Sequence, residues 1–400
     1  MKRLLAVLVL ILAPGVATGT AAAQDLLITN ARVIVGNGQV LDSAAIFVRG
    51  GRIVSVGAVP AVVPQAIARI DGRGLTAMPG FIDAHRHVIG GNTEQWLASQ
   101  ATPRLQEFLE AGFTTLMSGG GPVPGIGTLK ERIDRGELKG PRIITSGRIA
   151  TTGNDRTREK IAAEAKALAD ARMEIIKVNI SPEATPQEVA ALALIVEEGK
   201  KHNLMTMVHA VSNKAMLAAV QAGVQKLVHT PHFGWTTDAE AKMVAAAGVE
   251  QLSTIAFGTP VFNVFNQNNV PTFRDGKPWP EAIIDGEGRG REAGYKAVNA
   301  RTLWDNGVVY GFGTDTGYHP RAGLIQELKA LALMFSMTDI VKLMGPNTAA
   351  FVEKTADLGT LEAGKFGDIA LFAGNPMEGF WHMLDPRLVI KGGVVMVDKR

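Results

Sequence analysis

From residue 79 onward, short apolar runs alternate with stretches whose apolar positions recur every three or four residues, the pattern of strands alternating with amphipathic helices. Phe81-Ile82 opens the series. Phe113–Met117, Arg142–Ser146, Glu174–Val178, Leu204–His209, Lys226–His229, Gln251–Thr254 and Val308–Gly313 continue it as strands. Helical spacing occupies Glu94–Ala111, Gly127–Arg135, Arg158–Ala171, Pro186–His202, Asn213–Ala222, Asp238–Ala247 and Gly286–Asn306 between them. Eight strand–helix units are what a closed (β/α)8 TIM barrel requires, and residues 79–356 are assigned to it. An open doubly wound sheet would carry a Gly-rich phosphate-binding turn, and none is present.

Both ends of the chain have a different texture. Asp25 to Met78 reads as short strands with turn signals, Gly50-Gly51 among them. Asp368–Phe372, Leu388–Ile390 and Val394–Val397 repeat that texture near the C-terminus. Each segment is too small to fold alone, so 24–78 and 357–400 are expected to complete one small β-sandwich. Residues 1–23 read as a signal peptide: Lys2-Arg3, an apolar run from Leu4 to Ala13, and Ala21-Ala22-Ala23 before Gln24. The expectation is export to the periplasm or medium. The apolar core is short for a stable membrane span.

Composition then narrows the chemistry. The chain is 46% hydrophobic and 20% charged, a soluble globular balance. Its formal charge of +3 falls to +1 once Lys2 and Arg3 are removed, so nucleic acid has no electrostatic footing. The expected partner is a small-molecule substrate, and association into a homo-oligomer is left open. There are no cysteines, so disulfides and thiolate metal sites are excluded; a metal would need His, carboxylate or lysine-derived ligands.

Those residues sit in a telling place. Along a strand His85 and His87 project the same way, about 6–7 Å apart, with Arg86 opposite. Lys177, His209, His229 and Asp315 each fall at or near the end of a later apolar run. In a barrel all would face one point at the C-terminal rim, where reactive groups lie. Lys177 inside Ile175-Ile176-Lys177-Val178 is costly as a buried ammonium unless it is paired or modified. His232 is more suited to support than to ligation, and His202 and His382 read as solvated or packing residues.

Met78-Pro79-Gly80-Phe81-Ile82-Asp83-Ala84-His85-Arg86-His87, Ile176-Lys177, Val208-His209-Ala210, Val228-His229, Gly313-Thr314-Asp315-Thr316 and the run Leu358–Ala370 together resemble the amidohydrolase superfamily of metal-dependent hydrolases. Within it the chain is similar to the imidazolonepropionase-like and Xaa-Pro dipeptidase-like group. The resemblance implies two divalent metal ions, zinc being favoured by imidazole and carboxylate ligands. His85, His87 and Asp315 would hold one and His209 and His229 the other, with carbamylated Lys177 bridging both. It implies hydrolysis of an amide bond by metal-bound hydroxide, with Asp315 as the proton-transferring catalytic residue. The expected substrate is a dipeptide or N-acyl amino acid with an apolar or aromatic portion. A mononuclear cyclic-amide hydrolase, a deaminase and a lactonase stay open within the superfamily, and a ligand-binding barrel without catalysis outside it.

Substrate contacts are expected from His319, Arg148 and Arg156, the arginines by bidentate capture of a carboxylate. Arg158, which opens a helix, is expected to be solvated. Phe262 and Phe265 belong to a long aromatic-rich connection, Ala256 to Asp285, that reads as a lid or binding loop. Gly119-Gly120-Gly121 would let backbone approach a ligand closely. Arg86 is expected to point outward and spare the site.

Overall fold

The computed structural model describes residues 25–153, 156–256, 289–315 and 319–400. Eight strands from both ends of the chain form one sheet: β1 (Leu26–Ile34), β2 (Val40–Arg49), β3 (Arg52–Gly57), β4 (Ala68–Asp71) and β5 (Leu75–Pro79), with β15 (Ile369–Ala373), β16 (Pro386–Lys391) and β17 (Val394–Asp398). The order is β17-β16-β15-β5-β1-β2-β3, with β4 beside β1. The expected sandwich is therefore one continuously hydrogen-bonded sheet, joined where β5 and β15 pair antiparallel from Ile369 opposite Pro79 to Ala373 opposite Leu75. Ile28, Val33, Ile46, Ile369, Leu388 and Ile390 share its core.

Gly80 carries the chain from this sheet into the barrel. A Cβ there would lie 2.4 Å from the Thr114 side chain, so only glycine lets β5 run directly into the next strand. The barrel strands are β6 (Phe81–Arg86), β7 (Phe113–Ser118), β8 (Arg142–Ile144), β9 (Ser146–Arg148), β10 (Ile175–Asn179), β11 (Met205–His209), β12 (Lys226–Val228), β13 (Glu250–Leu252) and β14 (Val309–Gly311). All pair in parallel, β6 to β8 in one arc and β9 to β14 in the other. The third predicted strand, Arg142–Ser146, is interrupted at Thr145 into β8 and β9, and β9 runs two residues further, to Arg148. Between the first and eighth strands, Ala84 N donates to Phe312 O (3.2 Å) and Asp315 N to His85 O (2.8 Å).

Side-chain alternation sorts the barrel into layers. Ile82, Met117, Ile144, Ile175, Met207, Val228 and Leu252 form the inner cluster, with Phe351 and Leu358 packed against it. Ile176, Val178, Val208 and Leu227 face the helices instead. Along β10 and β11, Lys177 and His209 thus follow Ile175 and Met207 on the inward face, toward the C-terminal ends. On β6, Ile82 and Ala84 both belong to the inner cluster, so unbroken alternation would send His85 outward. The register shifts between Asp83 and Arg86, and His85 faces the axis.

The helix expected over Glu94–Ala111 is a short turn at Thr93–Gln95, a π-helical turn over Trp96–Gln100 and an α-helix at Ala101–Glu110. Pro186–Lys201 is regular, with Pro at its start and a Thr185/Glu188 capping box. Among the described residues no helix is long and apolar enough to cross a membrane.

Candidate metal centre

Where the strands end, the histidines converge. His87 Nε2 lies 3.0 Å and His85 Nε2 3.4 Å from Asp315 Oδ1, and His229 Nε2 lies 3.6 Å from Asp315 Oδ2. The ring centroids of His85 and His229 are 5.5 Å apart, nearly perpendicular, and those of His209 and His229 are 4.3 Å apart. Among the described residues, His85, His87 and Asp315 form the group whose ligand atoms all lie within 4.8 Å of one another. Asp315 bridges the two sides of the cluster.

Two of these residues hold backbone conformations that only a constrained setting tolerates: His229 at φ 76° and Asp315 at φ 45°. Each is braced. His229 Nδ1 meets Thr254 Oγ1 at 2.9 Å, and Gln251 Nε2 donates to His229 O (2.7 Å). Beside Asp315, Thr314 is gripped by Asp83. Thr314 N donates to Asp83 Oδ1 (3.0 Å), Thr314 Oγ1 to Asp83 Oδ2 (2.6 Å), and His85 N to Asp83 Oδ1 (3.2 Å).

Arg86 corrects an expectation. It points away from the cluster, but into the protein: it is buried, donates to Thr314 Oγ1 (3.0 Å) and lies over the Phe108 ring. It therefore supports the Asp315 segment rather than standing aside. Asp83, Thr254, Gln251 and Thr314 were not legible as site residues. The D-x-H spacing ahead of His85 is the one signal that could have pointed to Asp83.

Burial governs the protonation states. Desolvation pushes His85 and His229 well below the usual imidazole range and His209 down to about 3, with Lys177 and neighbouring histidines adding to the effect. All three are neutral at pH 7 and can offer lone pairs. Lys177 is also buried; desolvation lowers its ammonium to about 7, opposed by the Asp315 carboxylate and aided by Arg148. Among the described residues its Nζ has no hydrogen-bond partner, and neither does His85 Nδ1. Neutral imidazoles, one carboxylate and a buried amine make a donor set that fits divalent cations.

The other expected contacts divide. Arg148 stands opposite Lys177 on the neighbouring strand, but its Nε and Nη2 donate to Gly120 O and Gly119 O (3.0 and 3.2 Å). Arg156 spends its fork on Glu164, at 3.0 and 2.8 Å, which is a correction to its role as a carboxylate clamp. Arg158 is solvated, as expected, and pairs with Glu197 and Glu198 at the surface. His319 is 77% exposed and held by Glu107 and Arg104. Phe262 and Phe265 lie outside the described residues. The space beside Gly119 and Gly120 is filled by the protein's own His85 and Arg148.

A parallel barrel whose strand ends gather histidines, a lysine and an aspartate defines a metal-dependent hydrolase. The chain belongs to the amidohydrolase family, whose sequence model matches residues 76–396, and it acts on carbon–nitrogen bonds. It is 22% identical to the imidazolonepropionase of Geobacillus thermodenitrificans (strain NG80-2), over 90% of this chain and 92% of the relative. A prolidase solved with N-methylphosphonate-L-proline superposes with a TM-score of 0.76 at 22% identity, over 94% of this chain and 100% of that one. A Xaa-Pro dipeptidase with methionine bound in its active site gives 0.74 at 21%, over 93% and 99%. At these identities the solved structures speak for the fold.

Proposed function

We propose that this protein hydrolyses the amide bond of a dipeptide or N-acyl amino acid bearing an apolar portion, at a centre holding two divalent metal ions. The observation that carries this is Lys177: fully buried, without a hydrogen-bond partner among the described residues, and set among His85, His209 and His229. An amine lowered to about 7 is largely uncharged just above neutrality, the form that adds carbon dioxide and releases a proton to become a carbamate.

So modified, Lys177 would bridge both ions, with His85, His87 and Asp315 on one and His209 and His229 on the other. Two bound divalent ions, with zinc favoured by this ligand set, supply an acidified water and polarise the scissile carbonyl. Asp315 has the part of proton carrier. Its Oδ1, between His85 and His87, takes the proton from the attacking water and returns it to the amine nitrogen as the C–N bond breaks. The buried histidines remain neutral and hold position throughout.

Metal analysis beside a panel of dipeptides, N-acyl amino acids and lactones tests this. Lys177→Ala should lose at least one metal equivalent and most turnover, with small carboxylic acids restoring part of both. Asp315→Asn should keep the His209/His229 ion while activity falls about 10²–10⁴-fold. Two metals retained in Lys177→Ala would overturn the bridge. The full-length resemblance to an imidazolonepropionase then favours a mononuclear cyclic-amide hydrolase instead. We also propose export after cleavage near Gln24, which N-terminal sequencing of the secreted protein checks.

A further inference from the structure

The connection from β12 to the helix Asp238–Ala246 leaves directly from His229, so it belongs to the rim through which a substrate must enter. Its backbone is tied on three sides. His232 N and Phe233 N donate to Val211 O (2.8 and 3.3 Å), on the connection that follows His209. The buried Asn299 donates to Pro231 O and Gly234 O (3.0 and 2.9 Å) and accepts from Thr236 N (2.8 Å). Asn213 donates to Trp235 O and accepts from Thr236 Oγ1 (2.8 Å). Gly234, at φ 101°, supplies the turn these ties require.

Yet this fixed loop presents its two largest side chains to solvent. Phe233 is 45% and Trp235 54% exposed. Single exposed apolar residues are ordinary, and a mobile loop could fold them away. Here the ties hold two of them out together. Their surroundings lead back to the metal centre. The Phe233 ring lies 4.6 Å from that of His232, which is mostly buried and close enough to His209 to affect its charge state. Trp235 meets Tyr295 of the helix Arg289–Asp305 edge to face, at 4.4 Å. Phe233 therefore stands one ring outside the histidine cluster, and Trp235 is braced against the next helix round the barrel.

We propose that Phe233 and Trp235 form an aromatic ledge that receives the apolar side chain of the substrate, and that this loop sets which amides are hydrolysed; this rests on the amide-hydrolase reading above. Flat rings already fixed in place gain contact area with little ordering cost when an aromatic or branched group settles on them. A small side chain cannot reach the ledge and gains nothing. The loop thus acts on selectivity while His85, His87, Lys177, His209, His229 and Asp315 act on the bond.

The test uses the metal-loaded full-length protein with two matched substrates, N-acetyl-L-phenylalanine and N-acetyl-L-alanine, and with the amino acids they release. In Trp235→Ala and Phe233→Ala, kcat/KM for the phenylalanine substrate should fall about tenfold or more, as expected for losing one aromatic contact. The alanine substrate should stay within about twofold, and Trp235→Phe should recover most of the loss. Calorimetric Kd for L-phenylalanine should weaken in parallel without turnover being involved. Equal losses on both substrates, no change on either, or altered self-association with an unchanged substrate ratio would overturn the ledge. The two readings separate cleanly. Binding of L-phenylalanine that depends on Trp235, in a protein that cleaves neither amide, keeps the ledge and sinks the hydrolase reading. Turnover indifferent to Trp235 does the reverse, and a wild type that neither binds nor cleaves these probes overturns both.

Discussion

Asp83→Asn is the substitution that asks most of the site. The Asp83 carboxylate is fully buried, and burial raises its pKa while Arg86 and three donors pull it back down. Those donors are His85 N, Thr314 N and Thr314 Oγ1, so one side chain fastens the strand that bears His85 and leads into His87 to the segment bearing Asp315. Each hydrogen bond to a buried charge is worth about 1.5–3 kcal/mol, and Asp83 is the foremost of the carboxylates that favour the buried Arg86 guanidinium, ahead of Asp315 and Glu107. Asp83→Ala would forfeit all of this, against a total stability of roughly 5–15 kcal/mol, and is a poor probe.

The isosteric amide keeps one acceptor oxygen but turns an NH2 toward Thr314 Oγ1, which already accepts from Arg86. A loss of about 2–4 kcal/mol in denaturant unfolding is expected. Function should suffer more than stability. Asp315 holds φ 45° at a cost of about 1–3 kcal/mol, and relaxes once Thr314 is released. A shift of about 1 Å costs on the order of 10²-fold in turnover. Metal should be lost preferentially from the His85/His87/Asp315 side. Thr314→Val, which keeps the backbone donor, should fall between wild type and Asp83→Asn. If Asp83→Asn retains full metal content and kcat within about twofold of wild type, the grip of Asp83 on Asp315 is not what sets its position.

Two further outcomes follow from packing and burial. At Gly119 a Cβ would lie 2.8 Å from His85 Cε1, so Gly119→Ala should displace that imidazole and weaken metal binding, with the melting temperature little changed; unaltered metal affinity would refute this. Glu327 is buried, accepts from Ile255 N and Ala256 N, and is raised to about 7 chiefly by desolvation. A carboxyl raised in the folded state binds its proton more tightly there than when unfolded. Its contribution is therefore present below about pH 4.5 and lost as pH rises through about 7. Glu327→Gln should flatten the decline in stability across that window, and thermal melts of the two proteins giving parallel pH profiles would show otherwise.

Much of the molecule was legible before folding because periodicity reports burial. The eight apolar runs, the amphipathic stretches between them and the β-rich ends follow from side chains repeating every two or every 3.6 residues. Placing His85, Lys177, His209, His229 and Asp315 at one rim needed only the rule that barrel strands share a direction. Other features depended on contacts distant in sequence. No local pattern says that Asp83 will grip Thr314, that Arg86 will turn inward beneath it, or that Arg156 will be taken by Glu164. The same holds for the register break that turns His85 inward, which appears only in the pairing of β6 with β7. Nor does composition show that Phe233 and Trp235 are held in solvent, since Asn213 and Asn299 reach Trp235 O and Gly234 O from other elements. Periodicity is a property of each segment, whereas buried polar groups must find partners wherever the assembled chain brings them, and those pairings exist only in three dimensions.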